Sequence, residues 1–395
     1  MTEDPVVIVG SARTPMGAFM GDLKALSAPE LGAVAVRAAV ERAGVKPQDV
    51  QEAIMGNVLP AGQGQAPARQ AVLGAGLPAS TGCTTINKVC GSGMKAAMLA
   101  HDLLTLGANE VMVAGGMESM SNAPYLLPKA RAGLRLGHGE VKDHMFLDGL
   151  EDAYDRGRLM GTYAEDCADK YRFTREAQDR FAITSLTRAQ DAIRSGAFGG
   201  EIAPVRIAGG KTETTVTIDE QPGKANADKI PQLKPAFRKD GTVTPANSSS
   251  ISDGAAAMVL MKLSQAKKRG LAPLAKIVAY STHSQEPQWF TTAPVGAIRK
   301  LFDKTGWDAK STDLFEINEA FAVVTMAAMH DLDLPHDKVN VHGGACALGH
   351  PLGASGARVM VTLLGALEKH GKRRGIAALC IGGGEATAIA LERIG

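Results

Sequence analysis

Short apolar runs alternate along the chain with longer segments in which apolar residues recur at helical spacing. Residues 5–10, PVVIVG, form a compact apolar run that is typical of a buried strand. Residues 27–30, SAPE, have the form of a capping box, and the apolar positions from 31 to 38 then follow helical spacing up to a stop at Gly44. This alternation predicts an α/β fold in which helices cover the strands.

The same order of elements returns in the last third of the chain. The first series has predicted strands at 53–58 and 110–114, with a helix at 93–106 between them. The second series consists of a strand at 274–280, a helix at 295–304, a strand at 313–317, a helix at 355–367 and a strand at 376–381.

The two series align at glycine-rich positions. Gly44 matches Gly306, 262 positions later, and the GSG ending at Gly93 matches the ASG ending at Gly356, 263 positions later. Residues 115–116 match residues 382–383, 267 positions later. This nearly constant spacing predicts duplication of one α/β unit, and chance similarity between two such units is the alternative.

A different kind of sequence lies between the two series, from about 119 to 250. It contains Gly- and Pro-rich turns, a charged helix predicted at 174–195 and a polar stretch at 209–239. Insertions in α/β folds often build ligand sites beside the carboxyl ends of strands. We therefore expect an inserted region that covers a site.

Composition limits the classes of function. The chain has 395 residues, of which 45% are hydrophobic and 21% charged, and its formal net charge is +2. No basic stripe interleaves with aromatic residues, so we expect no nucleic-acid partner. The start MTEDP lacks a secretion signal, and no apolar stretch approaches the roughly 20 residues of a membrane span. Five cysteines without CxxC spacing argue against a disulfide framework or a structural zinc site and favour a reducing cytoplasm.

Cys90 is the first candidate for chemistry. It precedes the predicted helix at 93–106, in NKVCGSG. The N-terminus of a helix favours a thiolate, and Gly91 and Gly93 would leave room for a substrate to approach the sulfur. Packing is the alternative, because most cysteines in apolar surroundings are structural.

His350 and Cys380 complete the candidate set. If the duplication is real, His350 lies in a turn that mirrors the turn of Cys90, and a histidine there could take the proton of the thiol. Cys380 ends a strand before three glycines, whose N–H groups could stabilise an oxyanion. No Lys-Ser/Thr follows those glycines, so a Walker phosphate loop is excluded. We read His342 and Cys346 as structural, and the set of three suggests acyl transfer.

The chain resembles the thiolases in several long runs: NKVCGSGMKA, VMVAGGMESMS, INEAFA, GGACALGHPLGASGAR, CIGGGEA, GNVLPAGQGQAPARQ and NSSSISDGAAA. The resemblance extends from Val6 to Ile394. It implies a five-layered αβαβα core of two duplicated halves with an inserted loop domain. The implied segments are 1–118 for the first half, completed by about 250–272, then 119–249 for the loop domain that forms much of the CoA site, and 273–395 for the second half.

The resemblance also implies roles for individual residues. Cys90 would be the acylated nucleophile, His350 its base, and Cys380 the acid/base that takes the α-proton of a second acetyl-CoA. Asn318 would hold a water that forms one oxyanion hole with His350, and the N–H groups of Cys90 and Gly382 would form the other.

Further implied residues contact the substrate. They are Ser249 at the pantetheine arm, and Phe237, Ala320 and Phe321 as its apolar walls. Leu159-Met160-Gly161 stands where short-chain members carry His-Met-Gly, which suggests a more apolar or roomier acyl pocket. Lys224 is the nearest cation for the CoA phosphates.

The implied activity is that of an acetyl-CoA acetyltransferase, a transferase that reversibly condenses two acetyl-CoA into acetoacetyl-CoA and CoA through an acyl-cysteine. A degradative 3-ketoacyl-CoA thiolase of broader chain length is the alternative. We expect CoA thioesters as substrates, no cofactor or metal, and a cytoplasmic homotetramer built as a dimer of dimers in fatty acid metabolism. A decarboxylating ketoacyl synthase and a redox-responsive binding protein are the rival classes.

Overall fold

The structure is a computed structural model that describes residues 4–209 and 212–394. Three parts of the predictions lie outside the described residues. They are the N-terminal MTE at 1–3, positions 210–211 of the polar stretch, and residue 395 at the end of the third segment. Within the described residues, no helix combines the length and the apolar character that a membrane crossing requires.

The first third of the chain folds as strands and helices in alternation. Its helix α1 starts with the predicted capping box, in which the Ser27 N–H donates to the Glu30 carboxylate over 2.8 Å, and ends at Gly44 with a φ of 65°. The elements are β1 (Val6–Arg13), β2 (Gly17–Ala18), α1 (Ala28–Ala43), β3 (Glu52–Gly56), α2 (Pro67–Gly74), β4 (Gly82–Ile86), α3 (Ser92–Thr105) and β5 (Val111–Ser119).

The middle of the chain forms helices and two small two-stranded sheets, outside the main sheet. The charged helix predicted at 174–195 is confirmed, with the Thr174 hydroxyl as its N-terminal cap. The elements are β6 (Tyr125–Leu126), β7 (Lys142–Asp143), α4 (Met160–Tyr171), α5 (Arg175–Arg194), β8 (Val205–Gly209), β9 (Thr212–Val216) and α6 (Glu220–Lys224).

The last third contains the second series of elements. The sequence patterns missed β10 and β14, and β4 in the first third. All but the last residue of β10 are buried, so no alternation of polar and apolar residues marks this strand. The elements are β10 (Ser252–Lys262), α7 (Leu263–Lys268), β11 (Ala275–Ser284), α8 (Ala293–Thr305), β12 (Leu314–Ile317), α9 (Ala322–Asp331), α10 (Ala345–Leu348), α11 (Leu352–Lys369), β13 (Arg374–Ile381) and β14 (Glu385–Arg393).

The main sheet reads β12-β13-β14-β11-β1-β10-β5-β3-β4, with β2 attached to β10. Outward from the junction of β1 with β11, both halves run in the same order, β1-β10-β5-β3 and β11-β14-β13-β12. In each half the inner pairs are antiparallel, and β5·β3 and β13·β12 are parallel. The repeated order confirms the duplication.

Irregularities of the two halves also correspond. The register of β1 against β10 shifts at Val9, and that of β11 against β14 shifts at Val278. Ala256 of β10 has the same position relative to the first bulge as Thr387 of β14 has relative to the second. Ala256 pairs with Gly116 of β5 and Thr387 pairs with Leu379 of β13, so Gly116 and Leu379 are equivalent positions of the two halves. The proposed match of residues 115–116 with 382–383 was therefore wrong, since a turn that follows β13 was aligned with the middle of β5.

The layers follow from this arrangement. Helices α3 and α11 pack on each other between the two halves of the sheet, where they bury the largest apolar cluster. Helices α1 and α2 cover the outer face of the first half, and α8 covers that of the second. This order of helix, sheet, helix, sheet, helix confirms the predicted five-layered αβαβα core.

The two central helices touch at glycines. A Cβ atom on Gly93 of α3 would lie 2.7 Å from the Ala357 nitrogen of α11, and one on Gly356 would overlap the Met94 nitrogen of α3. The contact is reciprocal because the two helices are related by the duplication. It lies in the first turn of α3 and the second turn of α11, so the chain segments that precede the two helices come together.

We expect Gly356→Ala to lower the free energy of unfolding by about 1–3 kcal/mol, because the added methyl group overpacks this contact. Urea denaturation measures the change. Gly200→Ala is the matched control, since nothing lies within 4 Å of a Cβ atom there. Equal stability of the two variants would contradict the close packing of α3 and α11.

Candidate active site

One cavity of about 350 Å³ brings together the three residues predicted to carry chemistry. It lies where the turns before α3 and α11 meet the end of β13 and the middle region of the chain. It is lined by Cys90, Phe146, Gly149, Leu150, Leu159, Met160, Gly161, Ala236, Phe237, Pro245, Ser248, Ser249, Ser250, Ile251, Phe290, Ala320, Phe321, His350, Leu352, Cys380 and Gly382.

The turn that presents Cys90 is fixed by its own side chains. Val89 has a φ of 46°, which a β-branched residue rarely adopts. Its N–H donates to the Asn87 side chain over 2.8 Å, and its carbonyl accepts from the Ser92 hydroxyl over 2.6 Å. These contacts hold the strained residue in its conformation. Cys90 follows it, directly before Gly91, the N-terminal cap of α3.

Gly91 and Gly93, beside Cys90, permit close packing against β13 and α11. A Cβ atom on Gly91 would lie against the side chain of Ile381, and one on Gly93 would strike α11. The expectation that these glycines leave room for a substrate was therefore wrong: protein atoms occupy that space.

The pKa of the Cys90 thiol is raised to about 11, chiefly by burial. The backbone N–H groups of Gly382 and of Cys90 itself act on the sulfur and lower its pKa, and the nearby Glu118 carboxylate raises it. The expectation of a helix terminus that yields a ready thiolate was wrong, because burial outweighs the backbone N–H groups. Cys90 is therefore protonated at neutral pH and needs a base as it attacks.

His350 lies across the cavity in the turn before α11. Its backbone N–H donates to the Ser250 carbonyl over 3.1 Å, and its Nδ1 lies 2.5 Å from the Ser355 hydroxyl oxygen. Its Nε2 has no hydrogen-bond partner among the described residues. Burial and the Arg358 cation lower the pKa of His350 to about 3, so the imidazole is neutral.

Cys380 is the last residue but one of β13 and is fully buried. Burial first, and then the neighbouring Cys90, raise the pKa of its thiol well above the usual value. The turn that follows has φ values of 91° at Gly383 and 89° at Gly384, and a Cβ atom on Gly384 would overlap the Gln285 carbonyl oxygen. Glycine is required in this turn, which directs the Gly382 N–H to the Cys90 sulfur.

Asn318 lies behind His350 and is absent from the cavity lining. Its Nδ2 is 3.5 Å from His350 Nδ1, and its Oδ1 accepts from Arg358 over 3.2 Å. Arg358, fully buried, also donates to Glu316 over 2.8 Å. Sequence reasoning missed Ser355 and Arg358, although their spacing of three positions in GASGAR places them on one face of a helix.

Six predicted substrate-contacting residues, Ala320 among them, form walls of the cavity. The rings of Phe237 and Phe321 meet edge to face with centroids 5.9 Å apart. The backbone N–H of Ser249 donates to the Ala320 carbonyl over 2.9 Å, which ties the end of the middle region to the second half. The others are Leu159, the N-terminal cap of α4, and Met160, whose sulfur lies near Gly382.

Three further residues lie away from the cavity. Lys224 pairs with Glu220 at the end of α6 and does not line the cavity, and its assignment as the cation nearest to the CoA phosphates stays a prediction. His342 packs against His370, with their Nε2 atoms 3.1 Å apart, and Cys346 hydrogen-bonds the backbone of Glu319. The structural reading of these last two agrees with their positions.

The raised pKa of Cys90 gives a test. We expect its alkylation by iodoacetamide to rise with pH up to at least pH 9.5, because the thiolate fraction grows about tenfold per pH unit below the pKa. Peptide mass spectrometry measures the rate at Cys90, and Cys90→Ala identifies the modified peptide. A rate that levels off below pH 7 would show instead that the helix terminus dominates.

Known proteins are similar to this chain over almost its whole length. Residues 6–264 match the family description "Thiolase, N-terminal domain", and residues 271–393 match "Thiolase, C-terminal domain". Acetyl-CoA acetyltransferase 2 of Arabidopsis thaliana is 53% identical over 391 residues, which cover 98% of this chain and 96% of the relative. Acetyl-CoA acetyltransferase of Cupriavidus necator is 48% identical over 390 residues, 98% of this chain and 99% of the relative.

Solved structures agree with these relatives. The crystal structure of Acat5 thiolase from Ascaris suum in complex with coenzyme A has a TM-score of 0.93 at 43% identity, and covers 99% of this chain and 100% of that chain. The Bacillus anthracis acetyl-CoA acetyltransferase has a TM-score of 0.96 at 43% identity, with 99% of each chain covered. With both domains matched in order and the fold shared throughout, this chain belongs to the thiolase family.

Proposed function

We propose that the protein is an acetyl-CoA acetyltransferase that condenses two acetyl-CoA into acetoacetyl-CoA and CoA. One observation carries the proposal: Cys90, His350, Cys380 and the Gly382 N–H line a single apolar cavity. The curated relatives support acetyl transfer, since acetyl-CoA acetyltransferases from Arabidopsis thaliana and Schizosaccharomyces pombe are 53% and 48% identical over almost the whole chain.

The first half of the reaction acylates Cys90. His350 Nε2 takes the thiol proton while the sulfur attacks the thioester carbonyl of acetyl-CoA. The N–H groups of Cys90 and Gly382 stabilise the oxyanion, as their positions at the sulfur allow. CoA then leaves as a thiolate and takes the proton of Cys380. Acetyl-Cys90, a protonated His350 and a Cys380 thiolate remain.

The second half forms the carbon–carbon bond. Cys380 takes the α-proton of a second acetyl-CoA, and because burial raises the pKa of its thiol, its thiolate is a strong base. Protonated His350 donates from Nε2 to the enolate oxygen. As the resemblance implies, a water held by Asn318 would be the second donor, reaching the enolate from behind His350, because the Asn318 side chain does not line the cavity. The enolate carbon attacks acetyl-Cys90, acetoacetyl-CoA leaves, and the Cys90 sulfur recovers its proton from His350. Every group returns to its starting state.

The cavity walls suit the pantetheine arm of CoA. Phe237, Ala320 and Phe321 would flank the arm, and Ser249 would contact it. Leu159 and Met160 would enclose the acyl end beside Gly382. Because the protein's own groups supply both proton transfers and the oxyanion donors, the proposal requires no cofactor besides the CoA thioesters.

Organisation and setting form a further part of the proposal. We assign 1–118 and about 250–272 to the first half, 119–249 to the loop domain, and 273–395 to the second half.

The β6–β7 hairpin exposes Tyr125 and Leu136, the latter to 99%, which supports a homotetramer that covers it. A relative from Gibberella zeae, 46% identical, is named cytosolic, which supports a cytoplasmic setting, and a role in fatty acid metabolism stays a prediction.

Two cysteine variants test the chemistry. With acetyl-CoA, we expect Cys90→Ala to form no acetyl adduct, and Cys380→Ala to form the adduct at Cys90 while condensation falls by about 10²–10⁴-fold, because its base is lost. Intact-mass spectrometry and acetoacetyl-CoA production measure the two steps. Cys83→Ala, outside the cavity, is the control and should retain both. An adduct on another residue would overturn the proposal.

A series of 3-ketoacyl-CoA lengths separates the proposal from its alternative. Leu159 lines the cavity with an apolar side chain, and this is the observation that favours the degradative alternative. We expect thiolysis to be fastest with acetoacetyl-CoA. Faster thiolysis of longer substrates would instead identify a degradative 3-ketoacyl-CoA thiolase.

A further inference from the structure

Ser355 is the hydrogen-bond partner of the base. Its hydroxyl oxygen lies 2.5 Å from His350 Nδ1 and 2.9 Å from the Pro351 carbonyl oxygen. Both Ser355 and His350 are buried, so water does not compete for these contacts. A serine hydroxyl has one proton, which can be directed to only one of the two neighbours.

The direction of that proton decides the tautomer of His350. If the hydroxyl donates to the Pro351 carbonyl, its oxygen accepts from the imidazole, and Nδ1 carries the proton. Nε2, which has no partner among the described residues, then keeps its lone pair for the thiol proton of Cys90. The opposite arrangement would leave a proton on Nε2 and no base at the cavity.

Arg358 lies one turn further along the same face of α11. Its guanidinium donates to Glu316 over 2.8 Å and to the Asn318 side-chain oxygen over 3.2 Å, and all three residues are buried. Its positive charge opposes protonation of His350 and, after burial, is the second cause of the lowered pKa of the imidazole.

We infer that Ser355 and Arg358 are positioning residues for the base: Ser355 holds the proton on Nδ1 of His350, and Arg358 keeps the imidazole uncharged so that Nε2 can accept the thiol proton. The inference rests on the proposed function, since it concerns the acylation of Cys90. It goes beyond that function because neither residue touches the substrate cavity.

Other titratable groups around His350 are few. Cys90 before α3 and Cys380 at the end of β13 share its cavity, and both carry raised pKa values and stay neutral. Glu316 of β12 lies behind the guanidinium, and Glu118 of β5 acts on Cys90. Arg358 is therefore the cation whose removal should change the titration of the imidazole.

Ser355→Ala tests the tautomer. We expect the single-turnover acetylation rate of Cys90 to fall at least about tenfold, with the acetyl-CoA concentration for half-saturation changed less than about twofold, because the base is lost and the substrate contacts remain. Ser355→Thr keeps the hydroxyl and should recover most of the rate. Ser281→Ala is the matched control, because it removes another buried serine hydroxyl, which donates to the Ala297 carbonyl away from the site.

Outcomes for Ser355 are distinguishable. A wild-type rate in Ser355→Ala overturns its role. Its role is also overturned if the loss of acetylation rate is no larger than the unfolded fraction measured by circular dichroism and if Ser281→Ala shows the same loss. A fall in the rate of the folded enzyme that Ser355→Thr restores supports the inference.

Arg358 is tested in the double variant Arg358→Met with Glu316→Gln, which leaves no buried carboxylate unpaired. Removal of the cation favours the imidazolium, so the acid limb of the acetylation rate, which the pKa of His350 of about 3 places near pH 3, should move up by about one pH unit in a series from about pH 3 to about pH 6. A uniform fall without such a shift would overturn the role of Arg358. Failure of the wild-type enzyme to acetylate Cys90 would instead overturn the proposed function.

Discussion

The contact between the backbones of α3 and α11 is the constraint on which the rest of the structure depends. Gly93 and Gly356 permit it, since a Cβ atom on either would overlap the other helix. Neighbouring glycines extend the same close packing, because a Cβ atom on Gly116 would meet the Gly353 carbonyl oxygen. Each helix belongs to one duplicated half, so this contact joins the halves and brings Cys90 and His350 to one cavity.

The close packing also sets the electrostatics of the site. Burial raises the pKa values of both thiols and lowers that of His350, so all three groups are neutral before substrate reacts. No thiolate has to be held in the apolar interior before acetyl-CoA binds, because the Cys380 thiolate of the proposed reaction forms only as CoA leaves. Proton transfer accompanies bond formation instead, and the N–H groups at Cys90 act on charge only as it develops.

Much of this was predictable from the sequence. Glycine-rich turns at Cys90, His350 and Cys380 identified the chemical groups, and helical spacing located α1, α3 and α11. The strands β10 and β14 were missed because burial on both faces removes the alternation that marks a strand. Ser355 was missed because a serine within a helix looks like an ordinary helical residue until its neighbour is known.

Errors of interpretation had a common physical origin. The expected thiolate at Cys90 came from the local helix terminus, but burial depends on the whole fold and is larger. Gly91 and Gly93 were read as clearance for substrate, whereas Ile381 and α11 occupy that space. The sequence around a residue indicates which chemical group is present, but it does not indicate how the rest of the fold buries and contacts that group.

A double-mutant cycle on the acetylation of Cys90 tests the central claim most directly. The single-turnover rate would be measured in the folded fraction of wild type, Gly356→Ala, His350→Ala and the double variant. If the helix contact acts by placing His350 against Cys90, Gly356→Ala slows the wild-type enzyme but costs little more once His350 is absent. Losses that simply multiply would contradict the claim that this contact brings the two residues together.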